Sequence, residues 1–152
     1  MENQIKMKKE AEQIFTNIYN NNGFNGKESI SGPGSDIYQT RIIIKEIPLL
    51  FKDYNISTML DIPCGDFYWM KEVDLKDIEY IGADIVDEII KKNNEEYSKN
   101  NLYFKKLDLL KDTLPNVDLI FTRDCLVHLS FEDIFKALIK LIKSFSGVLS
   151  ET

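Results

Sequence analysis

A chain of 152 residues suits one domain around one core, and 43% hydrophobic with 29% charged residues is a globular balance that excludes a disordered chain. The net charge of −6, with no basic stripe, argues against a nucleic-acid binder, and no apolar run reaches the ~20 residues of a membrane span. Two cysteines, Cys64 and Cys125, make no disulfide framework, and the polar start Met1 to Lys6 has no signal-peptide core, so a cytoplasmic location is expected.

Met7, Ala11, Ile14, Phe15 and Ile18 recur at helical spacing and predict an amphipathic helix. Asn20-Asn21-Asn22-Gly23 stops it. A loop follows through Ser31-Gly32-Pro33-Gly34. Ser35 is placed to cap a helix from Asp36 toward Tyr54, which Pro48 is expected to kink or divide. Strand and helix patterns then alternate, with strands near 57–61, 79–84, 102–108 and 117–122 and helices near 66–73, 86–99 and 131–145. In the last helix Phe131, Ile134, Phe135, Leu138, Ile139, Ile142 and Phe145 form one face, and Ser130 with Asp133 resembles a capping box. The alternation predicts an α/β fold: a Rossmann-like parallel sheet with right-handed crossovers and helices on both faces. Gly147-Val148-Leu149-Ser150-Glu151-Thr152 reads as a fifth strand that starts and stops. Residues 1–28 are expected to be an N-terminal helix and linker, and 29–152 the ligand-binding domain.

Asp61, Asp84 and Asp108 each close a predicted strand. Parallel strands bring their C-terminal ends to one edge of the sheet, where α/β proteins hold nucleotide-like ligands. Asp84 is then the expected acceptor for ribose hydroxyls, through charge-assisted hydrogen bonds. Asp108 is placed to accept an exocyclic amine of a purine. Any one of them alone reads better as a helix cap or turn residue, whereas the three together at strand ends point to a ligand site. The first loop, Asp61-Ile62-Pro63-Cys64-Gly65-Asp66-Phe67, has one glycine and a second carboxylate. A dinucleotide pyrophosphate wants Gly-x-Gly-x-x-Gly. An acidic loop suits a ligand with no phosphate and a positive centre, such as S-adenosylmethionine with its ammonium and sulfonium.

On these residues the chain resembles class I S-adenosylmethionine-dependent methyltransferases. It is similar to a bacterial subgroup whose first motif reads as Asp61 to Phe67 do here, followed by Trp69-Met70. Further likeness lies in Tyr80 to Ile85, in Leu107-Asp108, and in Arg123 to Ser130, so that it covers about residues 29 to 146. Pro63 and Phe67 stand where the usual pattern has glycines. The resemblance implies that the loop of Asp61, Pro63, Cys64, Gly65 and Asp66 surrounds the methionine part of the cofactor. It implies that Asp84, with Ile85, holds the ribose and Asp108, with Leu109, the adenine. Arg123 completes the expected cofactor set. Trp69 and Tyr68 either line the pocket or belong to the core. The fold normally has seven strands, and this chain supplies four and the beginning of a fifth. The expectation is a domain incomplete at its C-terminus, with its fourth strand exposed and prone to self-association.

Thr122-Arg123-Asp124-Cys125 is expected beside the methyl group, with His128 beginning the next turn. Histidine is the usual base near neutral pH, so His128 and Asp124 are the catalytic candidates. Against this stand a helix-cap role for His128 and an ion pair of Asp124 with Arg123. Cys64 and Cys125 lack metal-ligand spacing and read as packing residues, and no metal is expected. The expected function is methyl transfer to a small-molecule acceptor, a sugar or another metabolite. The rivals are a truncated, non-catalytic remnant that binds cofactor weakly or not at all, and a nicotinamide-dependent oxidoreductase.

Overall fold

A computed structural model of the chain describes residues 2–145, with side chains from Ala11 onward. The fifth strand expected at 147–152 lies outside the described residues. Helix α1 (Glu2–Asn20) and a loop lead into α2 (Ile37–Asp53), then β1 (Thr58–Asp61), β2 (Glu79–Asp84), α3 (Asp87–Tyr97), β3 (Leu102–Lys106), β4 (Leu119–Phe121) and α4 (Phe131–Ser144). The four strands form one parallel sheet in the order β3-β2-β1-β4. None of these helices is long and apolar enough to cross a membrane.

Alternation along the strands divides the core. On one face Met59, Tyr80 and Phe104 pack with Ile47 and Phe51 of α2 and Ile90 of α3. On the other, Leu60, Ile81 and Ala83 pack with Leu109, Leu114, Val117 and Ala137 of α4. The central strands are buried on both sides, which explains their unbroken apolar runs. At the edge where β1 and β4 begin, the Asp118 carboxylate accepts from the Ser57 amide, the Ser57 hydroxyl and the Thr58 amide at 3.0, 2.8 and 2.9 Å. Its own amide donates to Thr58 Oγ1 at 2.8 Å. These donors hold the Asp118 carboxyl down at about 2.

Several expected elements are revised. Residues 66–73 form a loop with one short turn, Met70–Glu72, rather than a helix. Phe67 has a φ of 58°, outside the helical region. Its ring and that of Trp69 are buried separately, against Tyr80, Tyr97 and Phe104 in one case and Phe121 in the other. Burial of single rings overrides the helical pattern. Strand β3 ends at Lys106, so Asp108 lies in the loop beyond it. Strand β4 is short, with an isolated parallel bridge between Val117 and Phe145. Pro48 lies inside a continuous α2, between the buried anchors Ile47 and Phe51. Asp36, not Ser35, occupies the N-cap of α2, and the Glu28 carboxylate accepts from the Ile37 amide at 3.0 Å.

The Ser130 cap of α4 forms: its hydroxyl accepts from the Asp133 amide at 3.2 Å. Helix α4 buries Ala137 but leaves Phe131, Phe135, Ile139 and Ile142 exposed, at 86, 66, 54 and 55%. That is a continuous apolar face at i, i+4, i+8 and i+11 spacing.

Candidate functional site

The C-terminal ends of the strands open onto a cavity of about 400 Å³. The sheet edge is its floor, and Phe15 and Tyr19 of α1, Phe24 and the Ile30–Ser35 loop form its roof. All the candidate cofactor residues line it: Asp61, Pro63, Cys64, Gly65, Asp66, Trp69, Asp84, Ile85, Asp108, Leu109 and Arg123. So do Asp124 and His128. Tyr68 does not; it borders a separate polar cleft beside α3.

Asp61 and Asp84 are 3% and 6% exposed. Asp61 accepts a hydrogen bond from the Tyr80 hydroxyl at 2.6 Å. Burial pushes its carboxyl up to about 7; the Tyr80 bond opposes that rise, and the nearby Asp84 adds to it. Asp84 Oδ1 accepts from the Val86 amide at 3.0 Å and Oδ2 from the Gly65 amide at 3.1 Å. Its carboxyl is also raised by burial, against the pull of those backbone donors. The Ile85 amide adds a third backbone donor, and a carboxylate, with about four acceptor positions, keeps capacity for a further one. Asp108 is buried too, and its carboxylate accepts from the Leu110 amide at 2.9 Å, so part of it serves the local turn.

Gly65 has a φ of 54°, and a Cβ there would collide with Ser31 Oγ. This close approach lets Asp66 reach the roof. Asp66 Oδ1 accepts from the Ser29 and Ser31 hydroxyls at 2.8 and 3.3 Å, and Oδ2 from the Ile30 amide at 3.0 Å. Both oxygens are thus engaged by the loop, and the carboxylate serves to join roof and floor, a role the sequence reading did not assign it.

At the rim, Arg123 donates to the Gly34 carbonyl at 2.9 Å and pairs with Asp124 at 3.4 Å. Asp124, with a φ of 54° and its side chain 65% exposed, takes the ion-pair alternative. His128 closes the short turn Leu126–His128. Its ring lies against Phe15 and Phe24, with centroids 6.2 and 5.8 Å apart.

Comparison with solved structures places the fold that carries this cavity. Over 89% of the chain it superposes on 72% of magnesium protoporphyrin IX methyltransferase from Synechocystis PCC 6803 with bound S-adenosylmethionine, at a TM-score of 0.63 and 18% identity. The fold is that of the class I S-adenosylmethionine-dependent methyltransferases. Human N-acetylserotonin methyltransferase matches 70% of the chain at a TM-score of 0.57 and 18% identity. An amino pentose methyltransferase from Micromonospora echinaspora matches 71% at 0.56 and 11%. The chain spans only 31% of the human enzyme's length and 45% of the latter's. Both of these structures also contain S-adenosylmethionine. No family model and no curated protein matches the sequence.

Two parts of this methyltransferase-fold site were missed in the sequence. Asn93, 2% exposed, donates to the Gly65 carbonyl at 2.8 Å and fixes the loop from below. Its signal was a polar residue on the buried face of α3, beside Ile89 and Ile90. Tyr80 left no signal, because its partner Asp61 lies on the neighbouring strand.

Proposed function

We propose that the chain binds S-adenosylmethionine at this edge and transfers its methyl group to a small-molecule acceptor. The observation that carries this is the pair of buried carboxylates, Asp61 and Asp84, facing one cavity over a loop without the glycine run that cradles a pyrophosphate. The donor chemistry fits. Asp84 has acceptor capacity for a ribose diol, and Asp61 suits the ammonium of an amino acid. The oxidoreductase reading finds no counterpart among the structures above.

Bound S-adenosylmethionine supplies a methyl group already activated by the sulfonium. The protein's part is then mostly positioning. Asp61 and Asp84 fix the two ends of the binding site. The roof of Phe15, Tyr19 and Phe24 excludes water. His128 stands where a proton from an acceptor hydroxyl or amine would be taken.

Titration with S-adenosylhomocysteine tests the assignment. Asp84→Ala is expected to weaken binding by about 1.5–3 kcal/mol, the range for a hydrogen bond to a charged group. Unchanged affinity in a folded variant would remove the ribose assignment. Tighter binding of a nicotinamide dinucleotide than of the homocysteine ligand would remove the cofactor class.

We also infer that the chain self-associates. The α4 face holding Phe131 and Phe135 is uncovered among the described residues, and short β4 stands at the edge of the sheet beside it. Light scattering should show concentration-dependent association, reduced by Phe135→Glu. A monomer at high concentration would overturn this inference.

A further inference from the structure

We propose that Tyr80 is a positioning residue of the cofactor site, whose buried hydroxyl orients the Asp61 carboxylate and couples cofactor binding to release of a proton. This rests on the reading of the cavity given above.

The geometry begins with strand register. Met59 pairs with Tyr80 and Asp61 with Gly82, so Tyr80, Gly82 and Asp61 share one face of the sheet. Tyr80 is fully buried, and its ring is held by Phe67 and Phe104 at centroid distances of 5.2 and 6.0 Å. To reach Asp61, two positions further along the neighbouring strand, the ring must lean past residue 82. Gly82 makes that possible: a Cβ there would strike the Phe104 ring and lie 3.1 Å from Tyr80 Cε1. The hydroxyl then meets Asp61 at 2.6 Å, the length of a strong O–H···O bond.

The bond fixes one carboxylate oxygen inside the protein, and Asp61 still lines the cavity. The titratable groups that face Asp61 are Tyr80 and Asp84 of β2 and Cys64 of the following loop. From the roof and the β4 side come Asp66, Cys125, and the Arg123–Asp124 pair with His128 at the rim. Asp84 raises the Asp61 carboxyl, and burial raises it more, whereas the Tyr80 bond lowers it. With the site empty the carboxyl therefore holds its proton up to about pH 7. A ligand ammonium would bring a positive charge to Asp61, whereas the Arg123 guanidinium is paired with Asp124 at the rim. The ammonium favours the carboxylate, and the displaced proton passes to solvent. Only the carboxyl O–H bond breaks; its electron pair stays on the carboxylate, and water or buffer takes the proton. Tyr80 sets how readily this exchange occurs, since its hydroxyl stabilises the ionised form.

The test is calorimetric titration with S-adenosylhomocysteine from about pH 5.5 to 9, in pairs of buffers of different protonation enthalpy. Wild-type affinity should rise with pH through about 7, with up to about one proton released per ligand on the acid side. In Tyr80→Phe the rise should move to higher pH. Affinity near pH 7 should fall about tenfold and recover at the alkaline end. A role in packing alone would weaken binding equally at every pH. Equal loss, or an unmoved profile, would overturn the proposal. Should Tyr80→Phe fail to fold, the wild-type buffer series and Asp61→Asn decide. Binding enthalpy independent of buffer in the wild type, or a pH profile left unchanged by Asp61→Asn, would overturn it as well. Absence of wild-type binding at any pH would instead strike the cofactor reading, and this proposal with it.

Discussion

Replacing His128 with alanine is expected to slow methyl transfer by about 10²–10⁴-fold while leaving S-adenosylhomocysteine affinity nearly unchanged. The split follows from position. Asp61 and Asp84, the proposed cofactor residues, belong to the floor, whereas His128 stands at the rim, between rings from α1 and the loop after it. Its loss would remove the proposed proton acceptor without touching the carboxylates below. The measurement is transfer of labelled methyl to hydroxyl- and amine-bearing acceptors, beside calorimetry with the homocysteine ligand. Full turnover in His128→Ala would move the role to Asp124 or leave positioning alone. Asp124→Ala is the control, and its smaller expected effect reflects the ion pair with Arg123.

Asp61→Asn should make the empty protein more stable above neutral pH and less able to bind cofactor. The folded carboxyl titrates at about 7 against an ordinary value of 3.8. A group raised in the folded state contributes its stability below the unfolded value, and that contribution is lost as pH climbs to the folded value. Between about 4 and 7, therefore, wild-type stability should decline, by a term on the order of 4 kcal/mol at most. The amide carries no charge to desolvate and still accepts from Tyr80. Denaturant melts of the two proteins across this window should converge near pH 4 and diverge toward pH 8. Asp84, raised in the same direction, keeps part of the slope in both. Parallel profiles would show that Asp61 is ionised in the empty fold.

The strands could be read because sheet burial on both faces writes itself as an apolar run, and Asp61 and Asp84 stand where those runs meet the cavity. Helix α4 could be read because its cap and its stripe are local. The stretch from Phe67 to Met70 misled for the opposite reason. Its apolar residues follow a helical pattern, yet Phe67 packs on Tyr80 and Tyr97 and Trp69 on Phe121, neighbours distant in sequence. The same limit hid the Tyr80–Asp61 bond and the Asp66 link to the Ser29–Ser31 loop. These contacts join residues about 20 to 37 apart, and neither periodicity nor spacing records which partner a polar group will find. Asp66 entered the expected cofactor set as part of the first loop, and it does line the cavity. Only the folded roof shows that its oxygens also take the Ser29, Ser31 and Ile30 donors.

The clasp at Asp118 bears on the order in which the molecule assembles. Strands β1, β2 and β3 pair across about 20 residues at each step, whereas β1 and β4 pair across about 60. Closing the longer loop costs roughly 1 kcal/mol more in chain entropy. The three consecutive strands with α3 therefore form the natural nucleus, and β4 docks onto a preformed edge. Asp118, gathering the Ser57 and Thr58 donors, locks that late arrival. Weakening the clasp should then chiefly hasten unfolding and leave the folding rate little changed. This late strand also leads into the turn that carries His128, so the rim of the site is completed only after its floor.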